Sequence, residues 1–273
     1  MYCKFYGLKE RPFNVTADPT FFFSSQKHQE AYSHLFYGVT QRKGIIVLTG
    51  EIGTGKTTLC RFFMSQLEAK FKTAFILNPY FSPTQLLEAI VNDYGIKAEN
   101  KTKLGLVGSL NEFLITQSDA GNNVVLIIDE AQNLKPLHLE QIRLLSNLET
   151  QKHKLIQIIL VGQPELNRIL NLYKLRQLQQ RIMVRYHITP LDKNEIRNYI
   201  EHRIKSAGVE QKIYFSEEAV DVILDFSAGV PRLINIICDR ALLAGFVADT
   251  RYIGTEIINK CAEELGVYFA KEV

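Results

Sequence analysis

Gly50-Glu51-Ile52-Gly53-Thr54-Gly55-Lys56-Thr57 satisfies the pattern G-x-x-x-x-G-K-[ST] at every fixed position. Its flanks give the match meaning. Ile45-Ile46-Val47-Leu48 before it reads as a buried strand, and Leu59, Phe62, Phe63 and Leu67 after it fall at helical spacing. A glycine-rich turn between a strand and a helix N-terminus aims backbone N–H groups, and the positive end of the helix, at phosphate oxygens. Gly50 to Thr57, with Thr58 beside them, therefore predict a cradle for a nucleoside triphosphate. Lys56 is expected at the β- and γ-phosphates, and the Thr57 hydroxyl on Mg²⁺.

Four more strand patterns follow: Thr73-Ala74-Phe75-Ile76-Leu77, the continuously apolar 124–128, the nearly apolar 155–161 and the shorter 183–188. Helical patterns fill the intervals, around 83–94, 104–118, 136–149 and 164–181. Strands buried on both faces and alternating with helices predict an α/β fold, a five-stranded parallel sheet with helices on both faces. Ligands of such sheets sit at the carboxyl ends of the strands, where the glycine loop lies. After Pro190 no strand pattern is found. Asp192 with Glu195 makes a capping box stapled by Leu191 and Ile196, and Ser216 opens a second helix with Phe215 stapling onto Val220. Pro231 suits the first turn of a third helix, and a fourth covers about 255–265. The expected organisation is an aromatic N-terminal segment (1–43) packing on the nucleotide domain, an α/β nucleotide-binding domain (44–190), and a C-terminal all-helical lid (191–273). The aromatics of the first segment (Phe5, Tyr6, Phe13, Phe21, Phe22, Phe23, Phe36, Tyr37) suit either a hydrophobic strap or a hold on the adenine ring.

The run 124–128 ends in Asp129 and Glu130. Two carboxylates at the edge of a buried strand call for a cation. Asp129 fits a ligand of Mg²⁺ through its water shell, and Glu130 fits the base that polarises the attacking water; an acidic helix cap is the alternative. The next strand ends at Val161-Gly162-Gln163-Pro164, where Gln163 can touch both the γ-phosphate and the water, or cap its own turn. Arg176, Arg181 and Arg185 fall where the last helix pattern runs into the fifth strand, and Gly229-Val230-Pro231-Arg232 opens a lid helix. Phosphoryl transfer needs positive charge beyond lysine and Mg²⁺, which arginine can supply from another subunit. A solvated surface charge is the commoner fate of any one arginine.

Composition is that of an ordinary globular chain of 273 residues, 46% hydrophobic and 22% charged. A net charge of +3, with basic residues spread among acids, does not favour DNA as the main partner. Lys152-His153-Lys154 and Lys70-Phe71-Lys72 read as solvated turns. The four cysteines (Cys3, Cys60, Cys238, Cys261) show neither a C-x-x-C pair nor zinc spacing, and fit reduced packing residues of a cytoplasmic protein. No apolar run reaches membrane-spanning length, and the first residues do not read as a secretory signal.

The set Gly50–Thr57, Asp129-Glu130-Ala131-Gln132, Leu160-Val161-Gly162-Gln163-Pro164-Glu165-Leu166, Gln180-Arg181 and Gly229-Val230-Pro231-Arg232 resembles the AAA+ ATPases. Within them the chain is similar to the general secretion pathway A branch, ATPases that help assemble the secretin of type II secretion. The openings Phe5-Tyr6-Gly7-Leu8-Lys9-Glu10-Arg11-Pro12-Phe13 and Asn14-Val15-Thr16-Ala17-Asp18-Pro19 carry the narrower likeness. The resemblance implies Mg²⁺-dependent hydrolysis of ATP by a homo-oligomer, with Arg232 as the sensor-2 arginine of the lid and Arg181 as the arginine finger, Arg176 second. It also implies partner proteins of envelope secretion assembly, at the cytoplasmic face of the inner membrane. Gln163 departs from the Asn, Ser or Thr common at sensor 1. Members of this branch usually continue into a transmembrane helix and a periplasmic region. The chain is then either a cytoplasmic portion or a shorter relative serving a pilus or polysaccharide system.

A second class shares the fold: DNA-binding ATPases of the transposition-helper or origin-recognition kind. These often add a winged helix after the lid or a basic N-terminal extension, whereas this chain opens on aromatics.

Overall fold

A computed structural model describes residues 1–151, 153–209 and 212–266. Lys152, in the basic turn noted above, and positions 267–273 of the expected lid lie outside the described residues. In chain order the elements begin α1 (Tyr2–Tyr6), α2 (Gln26–Thr40), β1 (Ile45–Gly50), α3 (Lys56–Gln66), β2 (Phe71–Ile76), α4 (Pro83–Asp93) and α5 (Lys103–Asp119). They continue β3 (Asn123–Ile128), α6 (Pro136–Leu145), β4 (Ile156–Gly162), α7 (Glu165–Leu170), α8 (Arg176–Gln179) and β5 (Ile182–Ile188). The last are α9 (Lys193–Ser206), β6 (Tyr214–Phe215), α10 (Glu217–Ser227), α11 (Pro231–Val247), β7 (Tyr252–Ile253) and α12 (Thr255–Glu264). The chain divides into two compact units. One holds Gln29–Glu51 and Leu59–Ile188; the other holds Met1–His28, Ile52–Thr58 and the chain from Thr189 onward.

The first unit is the α/β layer. Its five strands are parallel in the order β2-β3-β4-β1-β5. Every residue of β1, β3 and β4 is buried, which is why these strands read as largely apolar runs, with Thr49, Asn123 and Gln157 their polar members. Ile45, Val47, Leu126, Ile128, Ile158 and Leu160 share one core with Leu87 and Ile90 of α4, Leu110 of α5, and Leu139 and Ile142 of α6. On the opposite face α2 comes so close that a Cβ on Gly38 would lie 2.5 Å from Ile46 Cδ1. The helical pattern at 164–181 is broken into α7, a 3₁₀ turn at Tyr173–Leu175, and α8. A continuous helix would turn Leu175 about 140° away from Leu170. The break puts Leu170, Leu175 and Leu178 into the same core.

The second unit is mainly helical, and the cap signals act as read. Asp192 and Glu195 form a reciprocal capping box, Ser216 accepts from the Ala219 N–H, and Pro231 takes the first turn of α11. Two short strands that the sequence reading did not find, β6 and β7, pair in parallel after Pro190. Two residues each are too few to show a period of two. The N-terminal aromatics Tyr2, Tyr6, Phe13 and Phe21 belong to this unit's core, with Ile196, Phe226, Ile237 and Leu242. Arg203 ties the strap down. It is buried, donates from Nε to the Pro12 carbonyl (2.6 Å) and from an Nη to the Asn14 carbonyl (2.7 Å), and lies over the Phe21 ring. Among the described residues no helix is long and apolar enough to cross a membrane.

Candidate functional site

β1 leads through the glycine loop into α3, whose first residue is Lys56. Gly53 and Gly55 adopt φ of 82° and 92°, a region that side chains disfavour. Gly53 is constrained a second time. α11 begins with Val230 as cap and Pro231, which has no N–H; the next donor, Arg232 N–H, goes to the Gly53 carbonyl at 3.2 Å. A Cβ on Gly53 would stand 2.7 Å from Arg232 Cβ and 3.0 Å from Val230 Cγ1. Lys56 and Thr54 are buried, Thr57 is half-buried and Ile52 exposed. Arg232 holds the loop through its backbone, and the residue is exposed.

The loop has a second support that the sequence reading missed. His28 is buried, with Nε2 3.0 Å from the Thr54 carbonyl and Nδ1 2.7 Å from the Ser25 hydroxyl. A carbonyl can only accept, so Nε2 carries the proton and Nδ1 accepts from Ser25. Burial pushes the His28 pKa down, partly opposed by the bond to Thr54. Twenty-six residues separate His28 from Thr54, and no local pattern announces the pairing.

At the carboxyl edge of the sheet, β3 delivers Asp129 and Glu130 and β4 delivers Gln163. Asp129 is 2% exposed, and its Oδ1 accepts the Glu130 N–H at 2.9 Å. A buried carboxylate and a threonine hydroxyl are hard oxygen donors, the kind Mg²⁺ takes while keeping waters and phosphate oxygens as its other ligands. Asp129, buried at the end of β3, is a donor of that type. Glu130 has a left-handed backbone (φ 51°), uncommon for a residue with a side chain. Its Oε2 accepts from Gln132 Nε2 at 2.5 Å and from Gln163 Nε2 at 3.4 Å. Glu130 and Gln163, expected to share the attacking water, are thus brought together; Gln132, given no role in the sequence reading, lies between them.

The arginines are elsewhere. Arg181 is half-buried in the turn before β5, and Arg176 and Arg185 are exposed, with Arg176 over the Tyr173 ring. Ile182 pairs with Ile45, and Ile188 with Gly50, so Arg181 stands at the amino edge of the sheet. Strands of this length rise roughly 20 Å. Arg181 does not join Asp129, Glu130 and Gln163 within one chain.

A parallel sheet in the order 2-3-4-1-5, a glycine phosphate loop after β1, and an acid pair after β3 define a P-loop NTPase of the AAA+ fold. Residues 39–170 match the family model of an AAA domain. The particular resemblance is to general secretion pathway protein A of Aeromonas hydrophila, 42% identical over 97% of this chain. The chain spans 48% of that protein, about half its length. Among solved structures, the ORC2 protein of Aeropyrum pernix aligns with a TM-score of 0.72 at 16% identity, over 93% of this chain and 71% of that one. The RuvB Holliday junction branch migration motor of Thermotoga maritima aligns with a TM-score of 0.60 at 18% identity, over 90% and 71%. These two likenesses are of fold.

Proposed function

We propose that this chain binds ATP with Mg²⁺ and hydrolyses it as an oligomer, in the assembly of an envelope machine. The observation that carries the ATPase reading is the strand–glycine loop–helix of residues 45–66, with Asp129 and Glu130 leaving a parallel strand of the same sheet. Gly50 to Thr58 receive the phosphates, with Lys56 neutralising them, and Asp129 and Thr57 supply oxygens to Mg²⁺. Mg²⁺ would draw charge from the phosphate oxygens. Glu130 takes up the proton of the attacking water, and Gln163 orients that water. Arg232 serves as the lid arginine, and Arg181 of another copy reaches the γ-phosphate.

The envelope role rests on the likeness to general secretion pathway protein A. A secretin or a related pilus or polysaccharide assembly is the partner class this supports, acting at the cytoplasmic face of the inner membrane. In cells carrying the gene, Lys56→Ala should lower the amount of assembled outer-membrane channel while the protein level holds. DNA is the competing partner, and it would show as tight duplex binding that weakens steeply with salt. We expect only weak association at physiological salt.

Steady-state hydrolysis and calorimetric ATP binding test the reaction. The parent should turn over ATP with Mg²⁺ and stop when the ion is chelated. Glu130→Gln should bind ATP as the parent does and lose at least ~100-fold in kcat, within the range of a positioned base. Lys56→Ala should lose binding. A Glu130→Gln variant at the parental rate would end this assignment.

A further inference from the structure

Gln132 holds two partners that lie on different strands' ends. Its Nε2 donates to Glu130 Oε2 at 2.5 Å, and its Oε1 accepts the backbone N–H of Gln163 at 3.1 Å. An amide between a carboxylate and an N–H has one workable orientation, because a flip would set oxygen against oxygen and N–H against N–H. The side chain is therefore fixed in direction by its partners. It is also fixed in space by an absence. A Cβ on Gly162 would stand 2.8 Å from Gln132 Oε1, 3.3 Å from its backbone N and 3.1 Å from Leu166 Cδ2. Gly162 leaves room for the amide, at the end of a fully buried strand. Gln163 Nε2, 3.4 Å from Glu130 Oε2, closes the set. Glu130, Gln132 and Gln163 are all half-buried, where hydrogen bonds to a carboxylate are worth more than in water.

We propose that Gln132 is a positioning residue. It locks the Glu130 carboxylate to the end of β4, so that the group acting on the water and Gln163 keep one fixed relation. The proposal rests on the reading of Glu130 given above. The hydrogen bonds of Gln132 go to Glu130 and to the Gln163 backbone, the two residues read as acting on the water, so its removal should be felt in turnover and not in affinity. Because Gln132 acts through Glu130, its removal should add little once Glu130 has lost its carboxylate.

The test uses Gln132→Met, similar in length without the amide, and Gln132→Glu, which keeps an acceptor toward Gln163 but cannot donate to Glu130. Both should lower kcat by roughly 10- to 100-fold, the range for a misplaced reacting group. ATP affinity by calorimetry should stay within about two-fold of the parent, a split that loosened packing would not give. In a Glu130→Gln background, Gln132→Met should change the residual rate by less than about two-fold. Gly162→Ala should reproduce the Gln132→Met pattern. An unchanged kcat, a raised kcat, a multiplicative loss in the double variant, or a parallel fall in ATP affinity would each overturn the proposal.

A second measurement needs no turnover. In protein with ¹⁵N-labelled glutamine, the Gln132 side-chain amide signals should move when Glu130 is changed to Gln. Signals that stay in place would show that the bond is not formed in solution. If the amide signals move but the parent hydrolyses no ATP, the catalytic reading of Glu130 fails. The Gln132 bond is then structural only, and the positioning role falls with it.

Discussion

Arg181 and Asp129 stand at opposite edges of one parallel sheet. Arg181 precedes Ile182, the partner of Ile45 at the start of β1, whereas Asp129 follows the last residue of β3. A guanidinium reaches about 7 Å from its Cα, far short of the roughly 20 Å that a strand of this length spans. An arginine in this position can serve a phosphate only on another molecule.

Gly53 carries two demands, a positive φ and the close approach of Val230 and Arg232. Gly53→Ala should therefore displace the phosphate loop from α11. Backbone strain alone costs roughly 1–2 kcal/mol, and the Arg232 Cβ contact adds to it. Calorimetry should show ATP affinity weakened by at least ~10-fold, with the far-ultraviolet circular dichroism unchanged; parental affinity would mean that the loop tolerates the shift.

Stability should depend on pH through His28. Burial lowers its pKa in the folded chain, so the unfolded chain binds a proton first as pH falls through about 6.5. Stability is then full above that value and declines below it, until the folded imidazole also titrates. Burial lowers His202 in the same direction. Thermal midpoints measured from pH 7.5 to 5.5 should fall in the parent and fall less in His28→Gln, with the His202 share retained. Equal slopes in the two proteins would remove His28 from the account of acid sensitivity.

Arg203 binds two carbonyls of the N-terminal strap from a buried position. Arg203→Ala leaves both without that donor and should destabilise the protein by roughly 2–4 kcal/mol. Arg203→Lys should recover part of this, because an ammonium lacks the fork that meets both oxygens. Thermal unfolding reads the difference as a loss of several degrees; a shift under about one degree would show that the strap holds without it.

What could be read from the sequence is what is local. The strands β1, β3 and β4 declare themselves by continuous burial, the cap at Asp192 by Glu195 three residues on, and the cap at Ser216 by the pair Phe215 and Val220 that flanks it. The phosphate loop and the acid pair are short contiguous motifs. The links among them are not local. Gln132 meets Gln163 across 31 positions, and His28 meets Thr54 across 26, through side chains that any surface turn could carry. The direction of the aromatic strap is of the same kind: Tyr6 and Phe13 announce burial without naming the core they enter.

That one copy's Arg181 completes another copy's phosphate site is tested most directly by mixing two disabled proteins. Lys56→Ala keeps Arg181 but cannot hold ATP; Arg181→Ala keeps the loop but lacks the finger. A finger of this kind is worth roughly 10³–10⁵ in rate, so each variant alone should be nearly inactive, and Arg181→Ala should still bind ATP normally. Mixed at equal and increasing concentration, they should hydrolyse ATP at a rate at least ~10-fold above the sum of the separate rates, rising with protein concentration. A mixture that gives only the sum, or an Arg181→Ala protein that works at the parental rate at every dilution, would contradict a site shared between copies.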